Sequence, residues 1–141
     1  MLMGELATAV KYELPITVVI VKNNTYGMIK WEQMVFLGNP EYGCELHPID
    51  FVKFAEACGA YGFRCEEPKE VSATLEKALE TARKKRRPTL VEAVVDPFEP
   101  PHPPHIKLEQ AVNMAKALAR GEPHRGRIAL TLFRDKVHDL F

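Results

Sequence analysis

This 141-residue sequence has one serine, one tryptophan, three cysteines and a formal charge of zero. Each shortage narrows what the chain can do. Ser72 sits early in a predicted helix with no glycine-rich elbow around it, which excludes a serine-hydrolase site. Cys44, Cys58 and Cys65 form no close pair and leave at least one thiol over. That pattern fits reduced thiols in a cytosol better than a disulfide scaffold, so a cytoplasmic location is expected. Lys plus Arg equals Asp plus Glu at 19 each, so no overall field draws nucleic acid or acidic lipid. No apolar run is long enough to span a bilayer. The opening MLMGELATAV lacks the basic and apolar regions of a signal peptide.

What remains is an ordinary globular composition, 46% hydrophobic and 27% charged, with one core expected. Leu2, Leu6 and Val10 recur at helical spacing, so residues 1–13 read as an amphipathic helix closed by Pro15. Ile16 to Val21 is β-branched and apolar except at Thr17, which predicts a strand buried on both faces of a parallel sheet. Asp50 can cap a helix running through Cys58, with Gly59 ending it. Tyr61 to Cys65 is a second strand. Pro68 to Lys85 is a helix with Val71, Leu75, Leu79 and Ala82 on one stripe, and Thr89 to Val95 is a third strand.

Alternating strands and helices predict an α/β fold, a partial parallel sheet flanked by helices. Three strands leave the first helix without a strand to feed it. The chain is therefore expected to be a fragment whose N-terminal strands lie upstream. The expected organisation is an α/β domain over 1–96, a Pro-rich strap over 97–105 and a helical tail over 106–141. The strap, PFEPPHPPH, is expected to be extended. The tail carries helices over 108–120 and 127–140. No internal repeat is present.

In an open parallel sheet, ligands bind beyond the carboxyl ends of the strands. Residues 23–27, NNTYG, occupy such a position after the first strand. Asn side-chain oxygens are hard, neutral donors that Mg²⁺ accepts beside carboxylate and phosphate oxygens. Gly27 lets a ligand approach the backbone. On these residues alone a plain turn is the simpler reading, because Asn and Gly form turns whatever the function.

The longer stretch ELATAVKYELPITVVIVKNNTYGMIKWEQ resembles the second half of the fingerprint of thiamine-diphosphate enzymes. In that family a Gly-Asp-Gly triplet is followed, after a helix and a strand, by an Asn. The Asp and Asn side chains and a main-chain carbonyl two residues past the Asn hold Mg²⁺ on the cofactor's diphosphate. Aligned on Tyr26-Gly27, the resemblance makes Asn23 the metal ligand and Thr25 the carbonyl donor. A second register would choose Asn24; the four-residue step to Gly27 favours Asn23. The segment from Gly27 to Gln33 is similar to the one lining the thiazolium side in pyruvate oxidases. By that comparison Tyr26, Gly27, Met28 and Ile29 bind the cofactor, and Glu32 reaches towards the reacting centre as the catalytic candidate. Taken alone, Met28 and Ile29 could equally be core, and Glu32 a solvated helix position.

DPFEPPHPPHIKLEQAVNMAKALARGEP and GRIALTLF resemble the tail of the same enzymes, so the likeness covers nearly the whole chain. It implies the C-terminal part of a thiamine-diphosphate- and Mg²⁺-dependent enzyme acting on a 2-oxo acid such as pyruvate. A pyruvate oxidase would also carry FAD in a domain not in this chain; an acetolactate synthase-like carboligase is the alternative. The chain departs from the family in having no Gly-Asp-Gly. The family's spacing puts that Asp a few residues before Met1, and its catalytic glutamate belongs to another domain. An isolated chain is thus expected to be inactive, with the rest of the parent enzyme, and a homo-oligomer, as partners. A different class of reading is a non-catalytic interaction module, whose open sheet side and apolar helix faces would bind another chain.

Other groups carry less. Lys84-Lys-Arg-Arg87 reads as the solvated C-terminus of a helix, where cations complement the dipole. His102 and His105 are separated by prolines and do not converge on a metal as helical histidines can. His47, His124 and His138 are scattered.

Overall fold

In the computed structural model, which describes residues 3–99 and 107–138, the three predicted strands form one parallel sheet. They are β1 (Thr17–Lys22), β2 (Tyr61–Cys65) and β3 (Thr89–Val94), in the order β1-β3-β2. The helices of the described residues are α1 (Glu5–Lys11), α2 (Gly27–Val35), α3 (Phe51–Ala57), α4 (Val71–Lys85), α5 (Leu108–Ala119) and α6 (Arg125–His138), with a 3₁₀ turn over Pro68–Glu70 before α4. The described residues divide into two compact units. One holds residues 3–22 and 48–95; the other holds 23–47, 96–99 and 107–138. Among the described residues no helix is long and apolar enough to cross a membrane.

The first unit contains the sheet. β3 is its central strand, and Thr89, Leu90, Val91 and Glu92 are all buried. Leu90 packs with Leu6, Ala55 and Ala60, against Val10, Ile20, Phe51, Phe54 and Cys58. The Asp50 side chain accepts the Lys53 N–H at 3.0 Å, which is the cap that starts α3. Gly59 follows at φ +82°, a left-handed conformation that ends the helix cheaply for glycine alone. Gly62 is required for a different reason. A Cβ there would lie 2.8 Å from the Val52 backbone, so α3 can lie directly on β2 only if that side chain is missing.

Two expectations, on β1 and on the strap, need correction. β1 is not buried on both faces: Val19 and Val21 are 48% and 69% exposed. It stands at the edge of the sheet, so its 17–19–21 face meets little beyond α4. The buried residues of α4 are Ala78 and Ala82, while Val71 and Leu79 are exposed. Small residues there let the helix sit close to the sheet, while Leu75 is half-buried. The start of the strap is a turn instead of an extended segment, because Asp96 Oδ1 accepts the Phe98 N–H at 2.8 Å. The remainder of the strap, 100–105, lies outside the described residues, as does Leu2. The three cysteines are free thiols, with Cys44 and Cys65 buried.

A buried carboxylate organises this unit. Glu92, 1% exposed, accepts Lys22 Nζ at 3.1 Å, Arg64 Nε at 3.0 Å and the Phe51 N–H at 2.8 Å. Burial pushes its carboxyl up, but the Phe51 N–H, Lys22 and Arg64 together outweigh that and hold it below the usual carboxylate range. Arg64 also pairs with Asp50 at 3.1 Å. All three strands and the start of α3 therefore meet on one side chain.

Candidate functional site

The second unit holds the asparagine loop, which follows β1 directly in the chain. The loop is closed by an arm over 41–46. Thr25 and Glu45 form an antiparallel bridge. Its two hydrogen bonds run from the Tyr26 N–H to the Cys44 carbonyl at 2.8 Å and from the Leu46 N–H to the Asn24 carbonyl at 2.9 Å. The Thr25 hydroxyl adds a bond to the same Cys44 carbonyl at 3.0 Å. In this pairing the main-chain N–H and C=O of Thr25 point away from the arm. The N–H donates to Asn23 Oδ1 at 3.2 Å, and the carbonyl accepts no hydrogen bond among the described residues.

The two asparagines differ in conformation. Asn23 is half-buried and folds back over its own loop, an Asx turn that leaves a second Oδ1 lone pair. Asn24 is exposed, at φ +55°. Asparagine tolerates that left-handed region better than most residues. A Cβ at Gly27 would lie 3.1 Å from Asn23 Nδ2, so glycine keeps the space beside the amide open. Two neutral oxygens, Asn23 Oδ1 and the Thr25 carbonyl, are thus presented by one short loop. They are donors of the hardness that Mg²⁺ requires, and a metal held there would need carboxylate and phosphate oxygens to complete its shell.

α2 begins at Gly27, and its two faces have opposite characters. Lys30, Trp31 and Met34 are buried. Trp31 and Met34 form a core with Ala117 and Ile128, against Phe98, Met114, Leu118 and Leu132. Met28, Ile29 and Glu32 lie on the other face, at helical spacing, and all three are exposed. Core packing for Met28 and Ile29 is therefore ruled out within the described residues, at 65% and 49% exposure. Tyr26, just before the helix, is 52% exposed.

The arm carries groups that the sequence pattern did not single out. Glu41 Oε2 lies 3.0 Å from Nζ of the buried Lys30, which also faces the Phe98 ring at 4.9 Å. The Glu41 N–H donates to Glu122 Oε2 at 2.8 Å; Glu122 is buried, and its Oε1 has no partner among the described residues. His124 Nε2 lies 3.5 Å from Glu41 Oε1 and 3.6 Å from Glu45 Oε1. These last three residues form a second possible donor group, their ligand atoms all within 4.8 Å of one another. Glu41 is already committed to Lys30, so the group is described more simply as an ion-pair cluster. No local periodicity marks these partners, and Glu41 and Glu122 are joined across 81 residues of chain.

Comparison with known proteins bears on the whole arrangement. Residues 1–93 match the family described as "Thiamine pyrophosphate enzyme, C-terminal TPP binding domain". The chain is 39% identical to YdaP of Bacillus subtilis over all of its own length and 24% of that protein. It is 38% identical to the acetolactate synthase isozyme 3 large subunit of Escherichia coli, over 73% of this chain and 18% of that one. It is 33% identical to pyruvate oxidase of Lactiplantibacillus plantarum, over 82% of this chain and 19% of that enzyme. Among solved structures, the thiamine diphosphate-dependent 4-hydroxybenzoylformate decarboxylase of Rhodococcus jostii RHA1 matches 67% of this chain and 17% of its own, with 26% identity and a TM-score of 0.56. The chain thus spans a quarter or less of the length of these relatives. With the parallel α/β sheet and the family match in agreement, the chain belongs to the C-terminal, thiamine-pyrophosphate-binding domain family of thiamine pyrophosphate enzymes.

Proposed function

We propose that this chain anchors the diphosphate and Mg²⁺ of thiamine diphosphate in a cytoplasmic, homo-oligomeric enzyme acting on a 2-oxo acid such as pyruvate. The observation that carries the proposal is the pair of oxygens on the loop: Asn23 Oδ1 with a spare lone pair, and the Thr25 carbonyl with no partner among the described residues. Asn23 and Thr25 hold the metal on this reading, and Asn24 serves the turn. Gly27 keeps the approach open, and Tyr26, Met28 and Ile29 form the wall against the cofactor. Their exposure in this chain supports that role, since a wall for a ligand must not be filled by the protein's own core. Glu32 shares their face of α2 and is the group there able to hold or accept a proton. Bound thiamine diphosphate supplies the electron sink for decarboxylation of the 2-oxo acid.

The oxidase reading is supported by the pyruvate oxidase likeness over 82% of the chain. On it the parent enzyme also carries FAD as electron acceptor. The 38% identity to an acetolactate synthase favours a carboligase as the second reading. In the parent enzyme, acetolactate formation from pyruvate without net oxidation would select the second. For the chain itself the test is calorimetric titration with thiamine diphosphate in Mg²⁺ and again in EDTA. Binding that requires Mg²⁺ is expected. Equal affinity with and without the metal, or no binding, would reject the proposal and favour an interaction module.

A further inference from the structure

We infer that Gln33 is a positioning residue for the metal-binding loop, acting through the arm over 41–46. The inference rests on the function proposed above and adds to it a residue that touches neither metal nor cofactor. The Gln33 side chain grips the backbone of Tyr42 at both ends. Its Oε1 accepts the Tyr42 N–H at 2.7 Å, and its Nε2 donates to the Tyr42 carbonyl at 3.1 Å. A primary amide can do both at once, having an acceptor and two donors. The same Oε1 faces the Cys44 thiol at 3.6 Å. Cys44 is buried, and its carbonyl takes both the Thr25 hydroxyl and the Tyr26 N–H.

The chain of contacts is therefore short. α2 holds Gln33, Gln33 holds Tyr42, and two residues later the Cys44 carbonyl sets the direction of Thr25. The Thr25 carbonyl is one of the two oxygens offered to the metal. Beside Gly43, at φ +67°, this segment has little stiffness of its own, so an external clamp decides where Cys44 sits. Lys30 and Glu122 hold Glu41 at the start of the arm, but the segment from Tyr42 to Cys44 is held by Gln33.

The test is Gln33→Ala in the full chain, with two readings. The first is amide hydrogen exchange without ligand. Exchange at Tyr26 and Leu46, whose N–H groups form the bridge, is expected to speed up while the core of the unit keeps its protection. The second is the Mg²⁺ affinity measured with thiamine diphosphate present, expected to fall by roughly 10- to 100-fold, the range for losing a group that orients a metal ligand. Gln33→Glu keeps the acceptor for the Tyr42 N–H but loses the donor, so its loss should be smaller. It serves in place of alanine if that variant does not fold. Slow exchange retained at Tyr26 and Leu46, or faster exchange with unchanged Mg²⁺ affinity, overturns the positioning role. Absence of Mg²⁺-dependent binding by the unaltered chain overturns the function proposed above and this role with it, an outcome distinguished by needing no variant.

Discussion

Replacing Asn23 with alanine is expected to weaken Mg²⁺-dependent binding of thiamine diphosphate by at least roughly a hundredfold, the upper end of what loss of an orienting group alone produces. The alanine removes one of two protein oxygens offered to the metal. It also leaves the Thr25 N–H without the acceptor it has at 3.2 Å, so the second donor loses its brace. Titration calorimetry at fixed Mg²⁺ reads the effect directly. The control is Asn24→Gly, which preserves the left-handed backbone at φ +55° while removing the side chain. Affinity for that variant is expected to stay close to that of the unaltered chain. The reverse result, loss at Asn24 and tolerance at Asn23, would establish the second register of the loop.

The second large effect concerns stability. Glu92→Ala is expected to destabilise the sheet unit by about 3 kcal/mol, the low end for breaking a buried ion pair, because Arg64 is partly exposed. Three partners lose their acceptor together: Lys22 on β1, Arg64 on β2 and the Phe51 N–H at the start of α3. The effect depends on pH, with a definite sign. Glu92 titrates below the usual carboxylate range in the folded protein. Its contribution is thus fully present above the unfolded value, about 4.3, and is lost as pH falls through the folded value. Asp50 is held low in the same direction, first by the Lys53 N–H, then against its own burial by Arg64 and Lys53. Urea unfolding from pH 7 down to pH 3 should show the difference between the unaltered chain and Glu92→Ala shrinking towards the acid end. A difference independent of pH would mean that packing, and not the charge, accounts for Glu92.

These two residues also show what could and could not be read from the chain. The elements were legible where local chemistry marks them. Asp50 caps α3, Gly59 ends it, and the residues of β2 between Tyr61 and Cys65 are those its pattern predicts. The loop over 23–26 was legible from its turn-forming asparagines between a strand and a helix. Glu92 was not, because its partners stand 70, 41 and 28 residues away and nothing in TLVEAVV distinguishes a buried carboxylate from a solvated one. The exposure of β1 was missed for a related reason. An apolar run reports that a strand suits a buried site, whereas the number of neighbours depends on sheet order, which is a property of the whole fold. The arm over 41–46 has no period at all. Its role emerges only when the Cys44 carbonyl is seen beside Thr25 and Tyr26.

A metal bound by this domain is expected on Asn23 and Thr25. Mn²⁺ accepts the same oxygen donors as Mg²⁺ and broadens nuclear resonances near it. Substoichiometric Mn²⁺ added with thiamine diphosphate to the isotope-labelled chain is therefore the most direct measurement. The account predicts that the amides of Asn23, Thr25 and Tyr26 broaden first. Broadening centred instead on Glu41, Glu45 and His124, the other donor group in this unit, would contradict it.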